Sequence, residues 1–216
     1  MVGMPGTAVD VAALYKGRRD RVDIIDVPEL GYVGVTGSGD PHSPEFATAV
    51  QALYGVSYAA RALVKRERGE APKVMPLEAL WWEDESPHRD VLLAIAADVV
   101  WLPESDRSRW QWQAMIVQPK LIDEQVVVEA LDVVRRKAVP AVDLVRYGRW
   151  REGLCAQILH AGPYTGEGAT VAQLHSHIDA NGYRPHGRHH EIYLSDPRRT
   201  APDNLRTLIR HPVEPV

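Results

Sequence analysis

Cysteine is almost absent from this chain, which has one, Cys155, among 216 residues. A single thiol excludes an intramolecular disulfide and a metal cluster built on cysteines. Cys155 lies in the apolar, strand-like run EGLCAQILH (152–160). That setting favours a buried and inert thiol over a catalytic nucleophile.

Long apolar runs and long runs of one charge are also missing. The chain has no 18-residue apolar stretch and no charged-then-apolar leader pattern, so we expect a cytoplasmic protein without a membrane partner. The net charge is −4, and the short basic run KRER (65–68) is typical of a solvated helix end. Nucleic-acid phosphates require a concentrated positive face, so we expect no nucleic-acid partner.

The sequence contains no credible motif for nucleophilic catalysis, nucleotide binding or metal binding. The nucleophile elbow, the P-loop and the dinucleotide-binding glycine pattern are lacking in a suitable context, and we therefore expect no cofactor. Several of the nine histidines cluster near the end of the chain. Adjacent His189 and His190 would point to opposite sides of a strand, and His175 and His177 are poorly placed on one helix face, so we expect no metal site.

Phenylalanine occurs once, whereas there are six tryptophans and eight tyrosines. Indole and phenol rings carry polar groups, so they suit half-hydrated binding walls better than dry cores. The aromatic composition therefore points to a binding surface.

The same order of sequence patterns occurs twice. EFATAVQAL (45–53) resembles EGATVAQLH (167–175), and each opens a helix after an apolar strand. Two further strands follow each helix, and in this superposition Glu78 lies over Glu191. We predict one domain over 1–216 with internal repeats at about 22–119 and 145–216, joined by a helix at about 123–137.

Each repeat is read as strand–helix–strand–strand, which makes the fold class α+β. The helices, at about 44–68 and 167–180, each have one apolar stripe. We predict a curved antiparallel sheet with helices on its outer face and a central ligand groove, the usual place for a small-molecule site. The extra segment 83–109 is apolar enough for a strand or a buried helix, and its periodicity does not decide between them.

The segment HHEIYLSDPRR (189–199) places a carboxylate on an aromatic-lined strand face. In a strand, Ile192 and Leu194 point one way, and Glu191 and Tyr193 point the other. We expect the first pair to face the helices and the second pair to face the groove. The alternative is an exposed or salt-bridged glutamate.

Several stretches together resemble the GyrI-like small-molecule-binding family. They are ELGYVGVTGSGDP, ALYGVSYAARALVK, PLEALWW, WQWQAMIVQPK, GLCAQILHAGPY and HHEIYLSDPRRTAPDNLRTLIRHPV, within about 20–216. The resemblance is to the stand-alone branch, which lacks a DNA-binding domain. It implies a duplicated strand–helix–strand–strand fold and a groove for bulky, planar, often cationic or aromatic compounds. The long 83–109 segment departs from the family pattern and leaves the shape of one groove edge open.

Members of the stand-alone branch are known as cyclopropanoid hydrolases, which open the strained ring of DNA-alkylating natural products with water. The resemblance places the functional carboxylate at Glu191. There it could attract a cationic ligand, aided by cation–π contacts, or act as general base for a water molecule. The candidate donors to the developing oxyanion are the phenols of Tyr193 and Tyr147 or an indole N–H group.

Further candidates for the groove wall are aromatic or ionisable residues, each with a structural alternative. Trp82 would wall the groove, with core packing as its alternative, and Glu78 would be either a second groove carboxylate or part of an ion pair at the sheet edge. The alternatives are core packing for Trp112, helix–sheet packing for Tyr58, and a turn-ordering hydrogen bond for His160.

Three functions stay open on the sequence alone. The first is hydrolysis of activated cyclopropane rings in aromatic toxins. The second is binding without turnover, as a sequestering or sensing protein for planar drugs. The third is inhibition of a macromolecular partner such as gyrase, for which a net charge of −4 gives little support. The sequence does not indicate the oligomeric state.

Overall fold

The computed structural model describes residues 11–83 and 110–216. Within these ranges the chain forms seven strands and three α-helices. The strands are β1 (Asp23–Ser38), β2 (Leu77–Glu83), β3 (Trp110–Val117), β4 (Arg146–Ala161), β5 (Tyr183–Pro185), β6 (His189–Tyr193) and β7 (Arg206–Pro215). The helices are α1 (Pro44–Arg68), α2 (Glu124–Arg135) and α3 (Glu167–Ala180).

All strand pairings in the described sheet are antiparallel, and six strands close into a barrel-like shape. The order is β4-β1-β3-β2-β6-β7, and β4 also pairs with β7, which completes the ring. The short β5 adds to the end of β7. Closure removes the unpaired edges of an open sheet. The fold class is α+β, as predicted.

Local signals in the sequence set the helix boundaries. The Ser43 hydroxyl accepts a hydrogen bond from the Phe46 amide at 3.2 Å, Pro44 follows it, and Gly69 ends α1 with a φ of 73°. The Asp123 side chain caps α2 through the Val126 amide. Polar caps, an early proline and a left-handed glycine are the expected helix ends.

The helices pack on the outer face of the barrel and bury two apolar clusters. In the larger one, α1 and α2 cover β1 and β3, and its members include Val33, Val35, Leu53, Val56, Ala114, Val127 and Ala130. In the smaller one, α3 covers β4 and β7 through Val171, Leu174, Ile178, Ile158 and Ile209.

The inner face of the barrel is filled by the start of the described chain. A 3₁₀-helix, Val11–Tyr15, packs Leu14 and Tyr15 against the inner side chains. Ile192 belongs to this interior, together with Leu159 and Leu208. The prediction that Ile192 faces the helices is therefore wrong. Alternation shows which residues share a face of the strand. Both faces of the barrel carry an apolar core, so the apolar character of Ile192 does not indicate which face the helices cover.

The superposition of Glu78 on Glu191 is also wrong. In the β2–β6 pair, Ala79 lies opposite Glu191 and Glu78 lies opposite Ile192. Directly opposed residues project from the same side of a sheet, so Glu78 and Glu191 project from opposite faces. The described elements follow the order strand–helix–strand over 23–83, with a further strand at 110–117, and strand–helix–strand–strand–strand over 146–215.

Residues 84–109, which hold nearly all of the predicted extra segment, lie outside the described residues. Among the helices that are described, none combines the length and apolar character needed to cross a membrane.

Candidate functional site

Strand β6 contributes ionisable groups to both faces of the barrel. His190 points inward, and His189, Glu191 and Tyr193 point outward to the side that carries the helices. The chain therefore has two polar clusters separated by the sheet.

The inner cluster consists of Tyr15, Glu78, Glu152, His190 and Arg210. The Tyr15 hydroxyl donates to Glu78 Oε1 at 2.5 Å, and Glu78 Oε2 lies 2.9 Å from His190 Nε2. His190 Nδ1 is 2.8 Å from Glu152 Oε1, and Arg210 Nη1 donates to Glu152 Oε2 at 3.0 Å. The set has two acidic and two basic groups, which balance when His190 is protonated.

Mutual charge stabilises the ionised forms inside the barrel. Burial alone would raise the pKa of Glu152, but the charges of His190 and Arg210 lower it to about 2. Burial would lower the pKa of His190, but Glu152 and Glu78 raise it above its usual value. Buried charges persist only when they are paired in this way.

A small cavity lies among the described residues of the barrel interior. Leu14, Tyr15, Trp150, Met115 and the inner cluster line a cavity of about 20 Å³. That volume holds roughly one water molecule. Arg210 also donates to the Leu14 carbonyl at 2.8 Å, so the inner cluster fastens the 3₁₀-helix in the barrel. The described residues therefore do not confirm the predicted central ligand groove.

The outer cluster consists of Glu167, His189, Glu191 and Tyr193. His189 Nε2 donates to Glu191 Oε1 at 3.1 Å, and the Tyr193 hydroxyl donates to the same carboxylate. The Glu191 side chain is 12% exposed, whereas His189 is fully buried. Glu191 thus has two hydrogen-bonding neighbours and keeps a small exposed fraction.

The direct neighbours of Glu191 on the adjacent strands are apolar and buried. They are Ala79 on β2 and Ile209 on β7. Glu167, the first residue of α3, accepts a hydrogen bond from the hydroxyl of Thr207, which lies opposite Tyr193 on β7.

Aromatic rings surround the outer cluster on the helix side. Trp81 Nε1 donates to the Tyr193 hydroxyl at 3.2 Å, and the Tyr164 ring meets Tyr193 edge-on at 6.1 Å. Trp81 stacks on Phe46 at 5.4 Å and meets Trp110 edge-on at 5.8 Å. These separations are typical of favourable ring pairs.

The tyrosines of this site keep their protons at neutral pH. Burial, followed by the charge of Glu191, raises the pKa of Tyr193 well above its usual value. Burial, followed by the charges of Glu167 and Glu191, raises the pKa of Tyr164 to about 12. Both phenols are therefore hydrogen-bond donors rather than anions.

The other predicted groove residues do not join Glu191. Glu78 belongs to the inner cluster, and Trp82 shares its face, with the Arg188 guanidinium 3.5 Å from the centre of its ring. Tyr147 is on β4, opposite Val33, and β7 separates β4 from β6. Tyr147 is therefore not placed to act as an oxyanion donor beside Glu191.

The remaining candidates lie away from Glu191. Trp112 is 2% exposed and packs in the larger outer core, whereas Tyr58 is 58% exposed on α1 and so is not packed between helix and sheet. His160 is 2.9 Å from the Thr170 hydroxyl and 3.1 Å from the Pro163 carbonyl, so it orders the turn before α3. Cys155 is fully buried, as predicted, and burial raises the pKa of its thiol.

Sequence reasoning missed Glu167, Trp81 and Tyr164. Acidic residues favour the start of a helix, and this preference alone accounts for Glu167 in the sequence. The sequence therefore does not indicate its position above β6 and β7. Trp81 was passed over for its neighbour Trp82, although alternation places Trp81 with Tyr193. No group of three or more metal-ligating side chains comes together in the described parts of the chain.

Comparison with solved structures finds close relatives. An uncharacterized conserved protein from Listeria innocua is 32% identical with a TM-score of 0.81, and 95% of this chain and 97% of that chain are covered. A Listeria innocua hydrolase is 31% identical with a TM-score of 0.79 and the same coverage. The C-terminal domain of EcmrR, at 13% identity and a TM-score of 0.55, shares the fold over 91% of this chain and 98% of that one.

No curated protein matches the chain. Residues 21–214, which include both polar clusters except Tyr15, match the GyrI-like small molecule binding domain. The chain belongs to the GyrI-like small-molecule-binding family.

Proposed function

We propose that the protein binds planar aromatic small molecules over the outer cluster and hydrolyses an activated cyclopropane ring in them, with Glu191 as general base. The observation that carries this proposal is the position of Glu191. Its carboxylate is partly exposed, held by His189 and Tyr193, and bordered by the rings of Trp81 and Tyr164. The hydrolase name of a 31% identical Listeria innocua protein supports the same chemistry.

The reaction follows from the groups available. A water molecule bound to Glu191 loses a proton to the carboxylate while its oxygen bonds to a carbon of the strained ring. The broken carbon–carbon bond releases its electron pair into a conjugated carbonyl, which becomes an oxyanion. General-base positioning of this kind contributes about 10²–10⁴-fold, and ring strain supplies much of the remaining drive.

Tyr193 has a positioning role in this scheme. Its single O–H group donates to Glu191, and its oxygen accepts from Trp81 Nε1. The phenol therefore has no second proton for a substrate oxyanion. We assign it to orienting the base instead of the donor role expected from the sequence.

The test is hydrolysis of a spirocyclopropyl dienone by the wild-type protein and by Glu191→Gln. We expect ring-opened hydrate from the wild type and a fall in kcat of about 10²-fold or more in the variant. Glu70→Gln, at an exposed position after α1, is the matched control and should keep the wild-type rate. Wild-type turnover by Glu191→Gln would remove the base from the mechanism.

Binding without turnover is the second candidate, and the family match favours it directly. The same aromatic surface would take a planar cation, with Glu191 as its counter-charge. Titration with a planar cationic dye should quench tryptophan fluorescence through Trp81 and Trp110. Quenching together with no ring-opened product would establish this function and reject hydrolysis.

A further inference from the structure

Glu167 is a buried carboxyl group that the proposed base does not account for. It is the first residue of α3 and is 6% exposed. Thr207 donates a hydrogen bond to it, yet its Oε1 atom has no hydrogen-bond partner among the described residues. A buried oxygen left in this state requires an explanation, because such atoms usually find partners.

The surroundings of Glu167 favour its neutral form. Burial, followed by the negative charge of Glu191, raises its pKa well above the usual value. His189 and the Thr207 hydroxyl act in the opposite direction but do not cancel these effects. The ionisable groups that face it are His189, Glu191, Tyr193 and Tyr164, and both tyrosines are neutral at pH 7.

Two carboxyl groups in one site therefore differ in their environment. Glu191 is partly exposed and accepts hydrogen bonds from His189 and Tyr193. Glu167 is buried and has one oxygen free of partners within 11–83 and 110–216. Paired carboxyl groups with contrasting environments are the usual arrangement of a base and an acid.

We propose that Glu167 is the general acid of the site and gives its proton to the substrate carbonyl oxygen, an inference that rests on the hydrolytic function proposed above. The donor role that Tyr193 cannot fill thereby falls to a group with an available proton. The substrate class becomes narrower as well, because the ring must be conjugated to a carbonyl that can reach Glu167.

The proton balance closes without a further reactant. Water gives one proton to Glu191 and its oxygen to the ring carbon, and the cleaved carbon–carbon bond supplies the electron pair that forms the new O–H bond with the proton from Glu167. Glu167 is then ionised and Glu191 is protonated. Transfer of that proton back to Glu167, directly or through solvent, restores the site with one water consumed.

The experiment compares Glu167→Gln with wild type in kcat, in KM and in the pH dependence of kcat from 6 to 10, using the same dienone. We expect kcat to fall about 10²-fold with KM within about threefold. In the wild type, kcat should decline on the alkaline side as Glu167 ionises. That decline should be lost in Glu167→Gln, whereas Glu167→Asp should recover part of the rate.

The matched control is Glu45→Gln, at the corresponding helix-start position of α1, where the side chain is exposed. It should keep both the rate and the alkaline decline. Dye binding and circular dichroism of each variant separate a loss of fold from a loss of the proton donor.

Two other sets of outcomes would reject either the acid role of Glu167 alone or the hydrolytic function as a whole. A wild-type rate in Glu167→Gln, or a reduced rate with an unchanged alkaline decline, would overturn the acid role and leave hydrolysis by Glu191 standing. Binding without any turnover by the wild type would reject the hydrolytic function itself, and the acid role with it.

Discussion

The indole of Trp81 donates to the hydroxyl of Tyr193 at 3.2 Å and so links β2 to β6 beside Glu191. The hydroxyl in turn donates a hydrogen bond to the Glu191 carboxylate and keeps its proton. Indole, phenol and carboxylate thus form one chain of hydrogen bonds that orients the Glu191 carboxylate. In the proposed hydrolysis, this chain would orient the base.

Removing the middle of that chain should slow the reaction while sparing ligand binding. Tyr193→Phe keeps the ring and its contact with Tyr164 but leaves Glu191 held only by His189. We expect kcat for the dienone to fall about 10-fold to 100-fold and dye affinity to change by less than about threefold. Tyr58→Phe, on the exposed side of α1, is the control. Equal rates in the two variants would show that Tyr193 does not orient the base.

The helix-side core should be sensitive to a single methyl group on β1. A Cβ atom added at Gly37 would lie 2.3 Å from the Trp112 ring, which crosses the strand at this point. We expect Gly37→Ala to lower the free energy of unfolding by about 1–3 kcal/mol. Chemical denaturation monitored by tryptophan fluorescence measures this.

Gly55 in α1 provides the matched comparison. A Cβ there meets only Val134, at an ordinary 3.5 Å. Since alanine also has the better helix propensity, Gly55→Ala should raise the free energy of unfolding by about 0.5–1 kcal/mol. A stabilising Gly37→Ala would contradict the close packing of Trp112.

Stability should depend on pH through the inner cluster. Glu152 has a pKa of about 2 in the folded chain and a higher value when unfolded, so its contribution is present above pH 4.5 and is lost as the pH falls towards 2. His190 has a raised pKa, so its contribution is complete below about 6.5 and is lost as the pH rises through the folded value. Urea denaturation between pH 2 and 9 should therefore show stability falling at both ends.

The variant Glu152→Gln tests whether Glu152 causes the loss of stability at acidic pH, which we call the acid limb. It leaves His190 and Arg210 without one partner in a buried site, which costs about 3–5 kcal/mol. It should also make the free energy of unfolding depend less on pH between 4.5 and 2. Glu29→Gln, at an exposed ion pair with Arg149, should leave that limb unchanged. A steep acid limb that persists in Glu152→Gln would assign it to another carboxylate.

The 3₁₀-helix inside the barrel should be released by loss of one hydroxyl. Tyr15→Phe removes the 2.5 Å hydrogen bond to Glu78, and the buried acceptor left behind costs about 1–3 kcal/mol. We expect faster proteolysis of residues 11–20 while the barrel stays intact, measured by limited digestion and mass spectrometry. Digestion at the wild-type rate would show that other contacts hold this segment.

The parts of the fold with local signals could be predicted from the sequence. The ends of α1 follow from Ser43, Pro44 and Gly69, and alternation correctly grouped Glu191 with Tyr193 in β6. Local pattern does not reveal how β4 meets β7 to close the barrel, because that contact joins residues about 50 apart. It also does not reveal that Leu14 and Tyr15 fill the interior.

That filled interior explains the errors at the site. With an apolar core on each side of the sheet, Ile192 and Glu191 gave no indication of which side carried the helices. Glu78 and Trp82 were therefore placed with Glu191, although they project into the barrel. The proximity of Glu167 to Glu191 depends on how α3 packs on β7, and a glutamate at the start of a helix does not reveal this in the sequence.

The sharpest measurement compares Glu191→Gln and Glu78→Gln in the rate of dienone hydrolysis, with dye binding and circular dichroism as checks on the fold. The two glutamates lie on neighbouring strands but on opposite faces of the sheet. We predict that Glu191→Gln loses turnover while folded Glu78→Gln keeps a kcat near that of the wild type. Turnover that survives Glu191→Gln and disappears in folded Glu78→Gln would place the chemistry inside the barrel and contradict the account.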